Sequence, residues 1–202
     1  MFLVICAVVK GGNSLRTFIA IDTGQKISGI VDTVVERLRR MGFKASWVSG
    51  NNAHLTLAFL NDVEKEKVEL VASMLSKRLR GFPTFTFSTG KLGFFRHKNL
   101  PRVIWIGVKP SAILNNLFRE TRVALESLGF SVEESFHAHI TVGRMKFSPP
   151  YWKKLIETVE LEEVIVPVNE VSVFKSELSP EGAKYTKLFS CSFEGGLIKH
   201  DF

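Results

Sequence analysis

Two His-x-Thr tripeptides recur in this chain, and each lies among apolar, β-branched residues. His54 and Thr56 belong to AHLTL, His139 and Thr141 belong to AHITV, and the two histidines lie 85 residues apart (139 − 54). Side chains two residues apart in a β-strand project from the same face. Each motif therefore predicts an imidazole beside a hydroxyl on one face of a strand, with apolar neighbours on the opposite, buried face.

This set of side chains is suited to general acid–base catalysis on a phosphate. A histidine titrates near neutral pH, so one imidazole can accept a proton while the other donates one. Threonine hydroxyls can donate hydrogen bonds to phosphate oxygens. The sequence shows no obvious acidic cluster for magnesium, which favours a metal-free phosphodiester transfer on a ribose.

Other interpretations of the motifs stay open at this point. A single histidine flanked by leucines is most often a packed and hydrogen-bonded residue of the core. The stretch HAHIT is similar to the start of the histidine-triad nucleotide hydrolase motif, but Thr141 stands where that motif needs a third histidine. His137 and His139 share a strand face and could bind zinc, although no cysteine or carboxylate lies nearby at ligand spacing.

The elements around the motifs recur as well, which predicts two copies of a β-α-β-α-β unit. In the first copy these elements are residues 16–21, 25–41, the motif, 63–79 and 84–92; in the second they are residues 102–108, 111–128, the motif, a shorter helix from 151 and residues 168–176. The helix before each motif ends at a glycine, Gly42 or Gly129, which is a common C-terminal cap. The period-two strands TFTFST and EVSVFKS favour antiparallel or mixed sheets. The copies span about residues 16–90 and 102–178, with a junction near residues 91–101.

The composition is that of a globular protein with a basic surface. Of 202 residues 45% are hydrophobic and 23% charged, which excludes a largely disordered chain. A net charge of +7 favours anionic partners such as RNA or nucleotides. Cys6 and Cys191 form no C-x-x-C pair and suit a reducing cytoplasm. Residues 1–14 contain an apolar run too short to span a membrane, and we expect an extra strand or a non-native extension there, before a single domain over residues 15–202.

Together these stretches resemble the two-histidine (2H) phosphoesterases, specifically the RNA 2′,3′-cyclic phosphodiesterases, also called 2′-5′ RNA ligases. The resemblance covers roughly residues 16–195 and rests on RTFIAID, SWVSGNNAHLTLAFLNDV, GKLGFF, PRVIWIGV, LGF, FHAHITVGR and VSVFKSELSPEGAKY. It implies a two-lobed, pseudo-symmetric α+β fold in which each lobe is an antiparallel sheet with two helices and the active site lies in the cleft between the lobes. It also implies hydrolysis of a terminal 2′,3′-cyclic phosphate to a 2′-phosphate without metal or cofactor, and 2′-5′ ligation as the reverse reaction.

The resemblance also implies a role for each motif residue. His54 and His139 would be the catalytic pair, with His54 as the acid toward the leaving 3′ oxygen and His139 as the base on water. Thr56 and Thr141 would hold the phosphate. Arg144 would offset charge on the pentacoordinate phosphate; a surface arginine outside the site is the alternative.

Aromatic and basic residues near the motifs carry further expectations. Phe59 occupies the place of the motif arginine in the first copy and is predicted to pack in the core, and Trp47 is predicted to pack there or to stack on a base. The basic loop FFRHKNLPR, residues 94–102, could grip an RNA backbone while Phe95 stacks on a base; a solvated loop is the alternative. Asn61 replaces a glycine that commonly follows HLTLxFL, and asparagine also tolerates a left-handed turn.

The expected partners are RNA ends that carry a 2′,3′-cyclic phosphate, among them tRNA halves, and nucleotides. We expect no membrane association, and a cytoplasmic monomer, because two internal lobes already make a symmetric site. A non-catalytic binder of RNA ends or nucleotides on the same fold is the alternative function.

Overall fold

The computed structural model describes residues 13–179 and 182–200. The extension predicted for residues 1–14 falls almost entirely outside the described residues, and the first strand begins at Ser14. The elements in chain order are β1 (Ser14–Asp22), α1 (Gly24–Arg40), β2 (Lys44–Trp47), a 3-10 turn (Gly50–Asn52), β3 (His54–Glu64), α2 (Lys65–Leu79), β4 (Phe85–His97), β5 (Leu100–Val108), α3 (Ala112–Glu126), β6 (His139–Phe147), α4 (Trp152–Glu157), β7 (Ile165–Val168), β8 (Glu170–Ser179), β9 (Gly182–Ser192) and β10 (Leu197–Lys199).

Within the described residues ten strands form one antiparallel sheet, which confirms the α+β fold expected from the sequence. The strand order is β10-β9-β8-β1-β3-β6-β5-β4-β7, and β2 pairs with β6. The sheet has two halves, which meet where β3 lies beside β6 with Leu55 opposite Ile140. We call the strands β1, β3, β8, β9 and β10 the His54 half, and the strands β2, β4, β5, β6 and β7 the His139 half.

Each half of the sheet contains strands from both sequence copies. Strand β4 follows the first motif in the sequence, yet it pairs with β5 in the His139 half. Strand β8 follows the second motif and pairs with β1 in the His54 half. The last strand of each sequence copy thus pairs with strands of the other half of the sheet. The two sequence copies and the two halves of the sheet therefore do not contain the same strands.

The segment 94–102 is the end of a β-hairpin, so the prediction of a basic loop there is wrong. Strand β4 continues to His97, β5 begins at Leu100, and these two residues pair with each other. Lys98 adopts a left-handed conformation with φ 55°. A two-residue turn with positive φ matches the twist of the flanking strands, so both strands can run to the turn in extended conformation.

The helices that precede the motifs are confirmed and end in the same way. A glycine with positive φ lies within three residues of the end of each helix, Gly42 (φ 87°) after α1 and Gly129 (φ 81°) after α3. Phe43 and Phe130, one residue later, each donate their N–H at 3.1 Å to a carbonyl five residues back in the helix. This bond belongs to a glycine-terminated helix cap, and its recurrence shows that the copies share backbone detail as well as sequence pattern.

The predicted division of the motif strands into two faces is confirmed. Leu55, Leu57, Ile140 and Val142 belong to the hydrophobic core, and none is more than 4% exposed. Helices α1, α2 and α3 pack on the strands and supply much of the apolar surface of that core. The histidine and threonine of each motif are half-buried between these core residues. None of the described helices has the length and apolarity needed to cross a membrane.

The lack of a side chain at Gly93 leaves space for the ring of Trp105 on the next strand. A substitution at Gly93 therefore tests the packing of the His139 half. A Cβ at Gly93 would come within 2.1 Å of Trp105 ring atoms. We expect Gly93→Ala to lower the free energy of unfolding by about 1–3 kcal/mol, because the indole must move. Urea denaturation measures this change.

Gly29→Ala is the matched control, because nothing lies within 4 Å of a Cβ at that exposed position of α1. Alanine in a helix interior should raise the free energy of unfolding there by about 0.5–1 kcal/mol. Equal stability of Gly93→Ala and the unsubstituted protein would contradict the described position of Trp105.

Candidate active site

The two motifs lie side by side where the halves of the sheet meet. Because β3 and β6 are antiparallel with Leu55 opposite Ile140, the histidine of each motif lies across from the threonine of the other. The structure thus brings together all four side chains that the sequence singled out. Each imidazole has one hydroxyl two residues away on its own strand and another on the neighbouring strand.

Both histidines are oriented by the same backbone hydrogen bond. Nδ1 of His54 lies 2.7 Å from the carbonyl oxygen of Asn52, and Nδ1 of His139 lies 2.6 Å from the carbonyl oxygen of His137. A carbonyl oxygen only accepts, so each Nδ1 must carry and donate a proton. Nε2 is therefore the nitrogen that gains or loses a proton in both residues, and either imidazole can serve as acid or base.

Each motif is followed by one extra residue in its strand, a β-bulge. The register of β3 against β1 shifts at Leu57, and the register of β6 against β5 shifts at Val142. In consequence two consecutive residues are buried in each strand, Leu57 with Ala58 and Val142 with Gly143. The bulge interrupts the alternation of faces, so the following residue lies on the same face as the histidine and threonine.

The bulges decide the positions of Arg144 and Phe59. In a regular strand Arg144 would face away from His139; after the bulge it lies exposed on the motif face, and its charge lowers the pKa of both His139 and His54. Phe59 occupies the position in β3 that corresponds to Arg144 in β6, and its side chain is 58% exposed. Its ring centroid lies 6.1 Å from that of Phe18. The prediction that Phe59 packs in the core is therefore wrong, because the bulge turns its side chain outward.

Burial lowers the pKa of both imidazoles below the usual histidine value. For His54, burial is the largest cause, and the charges of His139 and Arg144 act in the same direction, whereas Asp22 acts to raise the pKa. For His139, burial is again the largest cause, and the charges of His137 and Arg144 lower the pKa further. Each imidazole is therefore mainly neutral at pH 7 until an anion enters the site.

Aromatic rings enclose His54. Its ring centroid lies 4.8 Å from that of Phe18 and 5.1 Å from that of Tyr185, which meets it edge-on at 88°. Phe174 stacks on Phe18 at 5.2 Å. Phe18 and Phe174 come from β1 and β8, and Tyr185 from β9, and sequence reasoning missed all three because these contacts depend on strand order.

A second group of rings surrounds His139. Phe95, which the sequence predicted as a substrate contact, is 36% exposed and meets His139 edge-on at 5.0 Å. The ring centroid of Trp105 lies 6.1 Å from that of His139 and 5.0 Å from that of His137. Its Nε1 is buried and has no hydrogen-bond partner among the described residues.

A carboxylate distinguishes the two histidines. Asp22 pairs with His54 across β1 and β3, whereas Gly107 is the residue that pairs with His139 across β5 and β6. Nζ of Lys187 lies 2.8 Å from Asp22 Oδ2. Burial acts to raise the pKa of Asp22, but the hydrogen bond from Lys187 outweighs it together with weaker interactions, so the pKa lies below its usual value and Asp22 is ionised.

Three smaller expectations from the sequence concern His137, Trp47 and Asn61. His137 is exposed, with its ring centroid 6.1 Å from that of His139, and the described residues hold no group of three or more His, Cys, Asp or Glu side chains that could bind a metal. Trp47 packs against the core. Asn61 has φ 58°, which confirms that a left-handed residue is needed there.

A family model matches both copies of the duplication. The family is described as LigT like Phosphoesterase, and its model matches residues 21–105 and again residues 106–185. The chain belongs to the LigT-like phosphoesterase family. The two matched segments begin 85 residues apart, like the two histidines, so the family duplication fits the two halves of the site.

Relatives of this LigT-like phosphoesterase support the same assignment. A protein named RNA 2′,3′-cyclic phosphodiesterase from Thermotoga maritima is 43% identical over 186 residues, which is 92% of this chain and 100% of the relative. One of the same name from Methanothermobacter thermautotrophicus is 32% identical over 178 residues, 86% of this chain and 96% of the relative. The structure of E. coli LigT complexed with 3′-AMP has a TM-score of 0.69 at 26% identity and covers 89% of this chain and 98% of its own. These matches confirm the family resemblance seen in the sequence.

Removing the carboxylate beside His54 should change the titration of one histidine and leave the other unchanged. Asp22→Asn removes a charge that acts to raise the pKa of His54, so we expect this pKa to fall further below its usual value. NMR of the imidazole nitrogens during a pH titration measures both histidines. Glu177→Gln, which removes an exposed partner of Lys175, should change neither. An unchanged His54 titration in Asp22→Asn would contradict the electrostatic role of Asp22.

Proposed function

We propose that this protein hydrolyses the 2′,3′-cyclic phosphate at RNA 3′ ends to a 2′-phosphate, with His54 and His139 as its acid and base. One observation carries the proposal: both imidazoles are fixed through Nδ1 by the same backbone bond, which leaves both Nε2 atoms for proton transfer at one junction. The relatives from T. maritima and M. thermautotrophicus are named for this activity.

We assign the roles from the family resemblance, with His54 as the acid and His139 as the base. Asp22 acts to raise the pKa of His54, but burial and the charges of His139 and Arg144 outweigh it. Burial and the charges of His137 and Arg144 lower the pKa of His139. His139 Nε2 then takes a proton from water as the water oxygen bonds to phosphorus. The bond from phosphorus to the 3′ oxygen breaks, His54 Nε2 donates its proton to that oxygen, and the phosphate stays on the 2′ oxygen. Water enters and the 3′ oxygen leaves on opposite sides of phosphorus, which suits two separate imidazoles.

The remaining motif residues are proposed to hold the substrate. Thr56 and Thr141 donate their hydroxyls to phosphate oxygens, and Arg144 balances the charge that builds up as phosphorus becomes pentacoordinate. Phe95 and Phe59, both exposed and one from each half of the sheet, provide apolar surface for the base and ribose. The anionic substrate itself raises the pKa of both histidines, which allows His54 to be protonated in the complex.

We further propose that the protein acts on RNA fragments such as tRNA halves, or on nucleotides, as a cytoplasmic monomer. The net charge of +7 favours an anionic substrate. Both histidines of the site come from one chain, so one copy suffices for the chemistry. The Cys191 thiol is free and buried, which raises its pKa to about 12, as suits a reducing compartment.

Single substitutions of the two histidines test the catalytic roles. We expect His54→Ala and His139→Ala each to lower kcat by about 10²–10⁴-fold, because each removes one proton transfer. The assay uses a short RNA that ends in a 2′,3′-cyclic phosphate, with EDTA present, and mass spectrometry with phosphatase and sequencing steps to locate the product phosphate on the 2′ oxygen.

His137→Ala is the matched control, since it keeps the backbone carbonyl that holds His139 and should retain nearly full activity. Activity that needs added zinc and is lost in His137→Ala would favour the metal site instead. RNA binding without turnover in the unsubstituted protein would favour the non-catalytic binder.

A second activity, 2′-5′ ligation, is favoured by a pocket beside His139. A pocket of about 300 Å³ is lined by aromatic rings of Trp105, Phe136 and His137, and by the start of α3. His137 and Ala138, which directly precede His139, belong to its lining. A nucleoside in this pocket could offer its 5′-hydroxyl in place of water, and the same two proton transfers would then form a 2′-5′ phosphodiester.

Filling the pocket should separate the two reactions. Asn115 lines the pocket from an exposed position of α3, and we expect Asn115→Trp to reduce the yield of 2′-5′ joined RNA with little change in hydrolysis. The measurement is the ratio of joined to hydrolysed product when 5′-hydroxyl RNA is in excess. Ala112→Trp, at an exposed position of α3 outside the pocket lining, is the control. Equal loss of both products in Asn115→Trp would instead place the substrate's own base in the pocket.

A further inference from the structure

The charge of the sheet is concentrated in one half. The described strands of the His139 half contain six lysines and arginines and no aspartate or glutamate. The described strands of the His54 half contain five basic and five acidic residues, so their charges cancel. The six cations of the His139 half are Lys44, Lys91, Arg96, Arg102, Arg144 and Lys146.

These six cations also lack a carboxylate that would neutralise them among the described residues. All six are exposed, and none forms an ion pair with a carboxylate in the described ranges of the chain. In the His54 half, by contrast, Lys187 lies 2.8 Å from Asp22 and Lys175 lies 2.9 Å from Glu177. A pair of opposite charges produces a weak field at a distance, so of the two halves of the sheet the His139 half attracts an approaching anion more strongly.

Basic residues continue along β4 and β5 beyond the row of Arg144. Arg144 pairs with Val103 of β5, and Val103 pairs with Phe95 of β4, so these three residues form one row across the strands. Arg96 comes directly after Phe95 and so projects from the opposite face, but residues 95–100 are all exposed, which leaves both faces of the hairpin end open to a ligand. Lys98 forms the hairpin turn three residues beyond that row, at about 3.3 Å per residue. The cations thus extend about 10 Å from the row of Arg144 toward the hairpin tip.

We propose that the single-stranded RNA that precedes the cyclic phosphate runs along the β4–β5 hairpin of the His139 half. Its phosphates lie against Arg96, Arg102 and Lys98, and Phe95 offers a stacking surface between these cations and His139. Single strands are bound in this way, by cations that follow the backbone and aromatic rings that stack on unpaired bases. The proposal deepens the proposed function and rests on it for the position of the RNA end.

The test compares two substrates that differ in the RNA body alone. One is cytidine 2′,3′-cyclic phosphate, and the other is an oligoribonucleotide that ends in the same group. In the double variant Arg96→Ala/Arg102→Ala we expect kcat/KM for the oligonucleotide to fall about tenfold at low salt. The slope of log kcat/KM against log salt concentration should become less steep by about 1.4, because each of the two lost single-strand phosphate contacts contributes about 0.7 to that slope. The value for the mononucleotide should stay within about twofold, because it has no further phosphates to lose.

The matched control is Arg16→Ala/Lys184→Ala, which removes two exposed cations from strands of the His54 half. It should leave the oligonucleotide preference intact. Equal losses for both substrates in the hairpin variant would place Arg96 and Arg102 at the reacting phosphate, equal losses in the control would indicate a diffuse field, and no loss would place the RNA elsewhere; each of these results overturns the proposal.

A measurement of RNA affinity distinguishes failure of the proposed RNA path from failure of the proposed function. Fluorescence anisotropy with an oligonucleotide that ends in a 2′-phosphate measures affinity without turnover, and a urea midpoint for each variant confirms that it is folded. If the unsubstituted protein hydrolyses neither substrate but the hairpin variant alone loses affinity, the proposed function fails and the RNA path stands. If affinity is unchanged in the hairpin variant, the RNA path fails whatever the activity.

Discussion

The active site depends on the backbone pairing of β3 with β6 at Leu55 and Ile140. Both side chains are fully buried, at 0% exposure, and this burial fixes which residues of each strand face the core. A slip of one residue would turn either histidine and its threonine into the core and bring apolar side chains to the motif face. The hydrophobic core therefore sets the positions of the polar groups, and the hydrogen bonds from each Nδ1 then orient the rings.

Local rules in the sequence account for most of what could be predicted. Period-two and period-3.6 patterns gave strands and helices near their observed bounds, and the glycines Gly42 and Gly129 ended the helices where expected. The His-x-Thr spacing placed histidine and threonine on one face without knowledge of their neighbours. These features depend on a few adjacent residues, so a single sequence contains enough information to infer them.

The features that escaped prediction depend on contacts between distant strands. The exposure of Phe59 follows from a bulge in β3, whose register is defined against β1; the small residues Ala58 and Gly143, two positions after each motif threonine, were the available signal. Asp22 and Tyr185 reach His54 only through the order of the strands. The hairpin at residues 94–102 was mistaken for a loop because its basic residues masked an otherwise extended pattern around a two-residue turn.

The exchange of strands between the halves has a consequence for how the chain acquires its structure during synthesis. Strand β1 pairs with β8 at Phe18 and Phe174, so one edge of β1 stays open until residues far along the chain have left the ribosome. Pairings between such distant residues form slowly, because the intervening chain must be ordered to close the loop. His54 therefore gains Phe174 and Tyr185 late, after His139 and its strands have been made. Nascent chains carry both histidines well before they carry the walls that bury one of them.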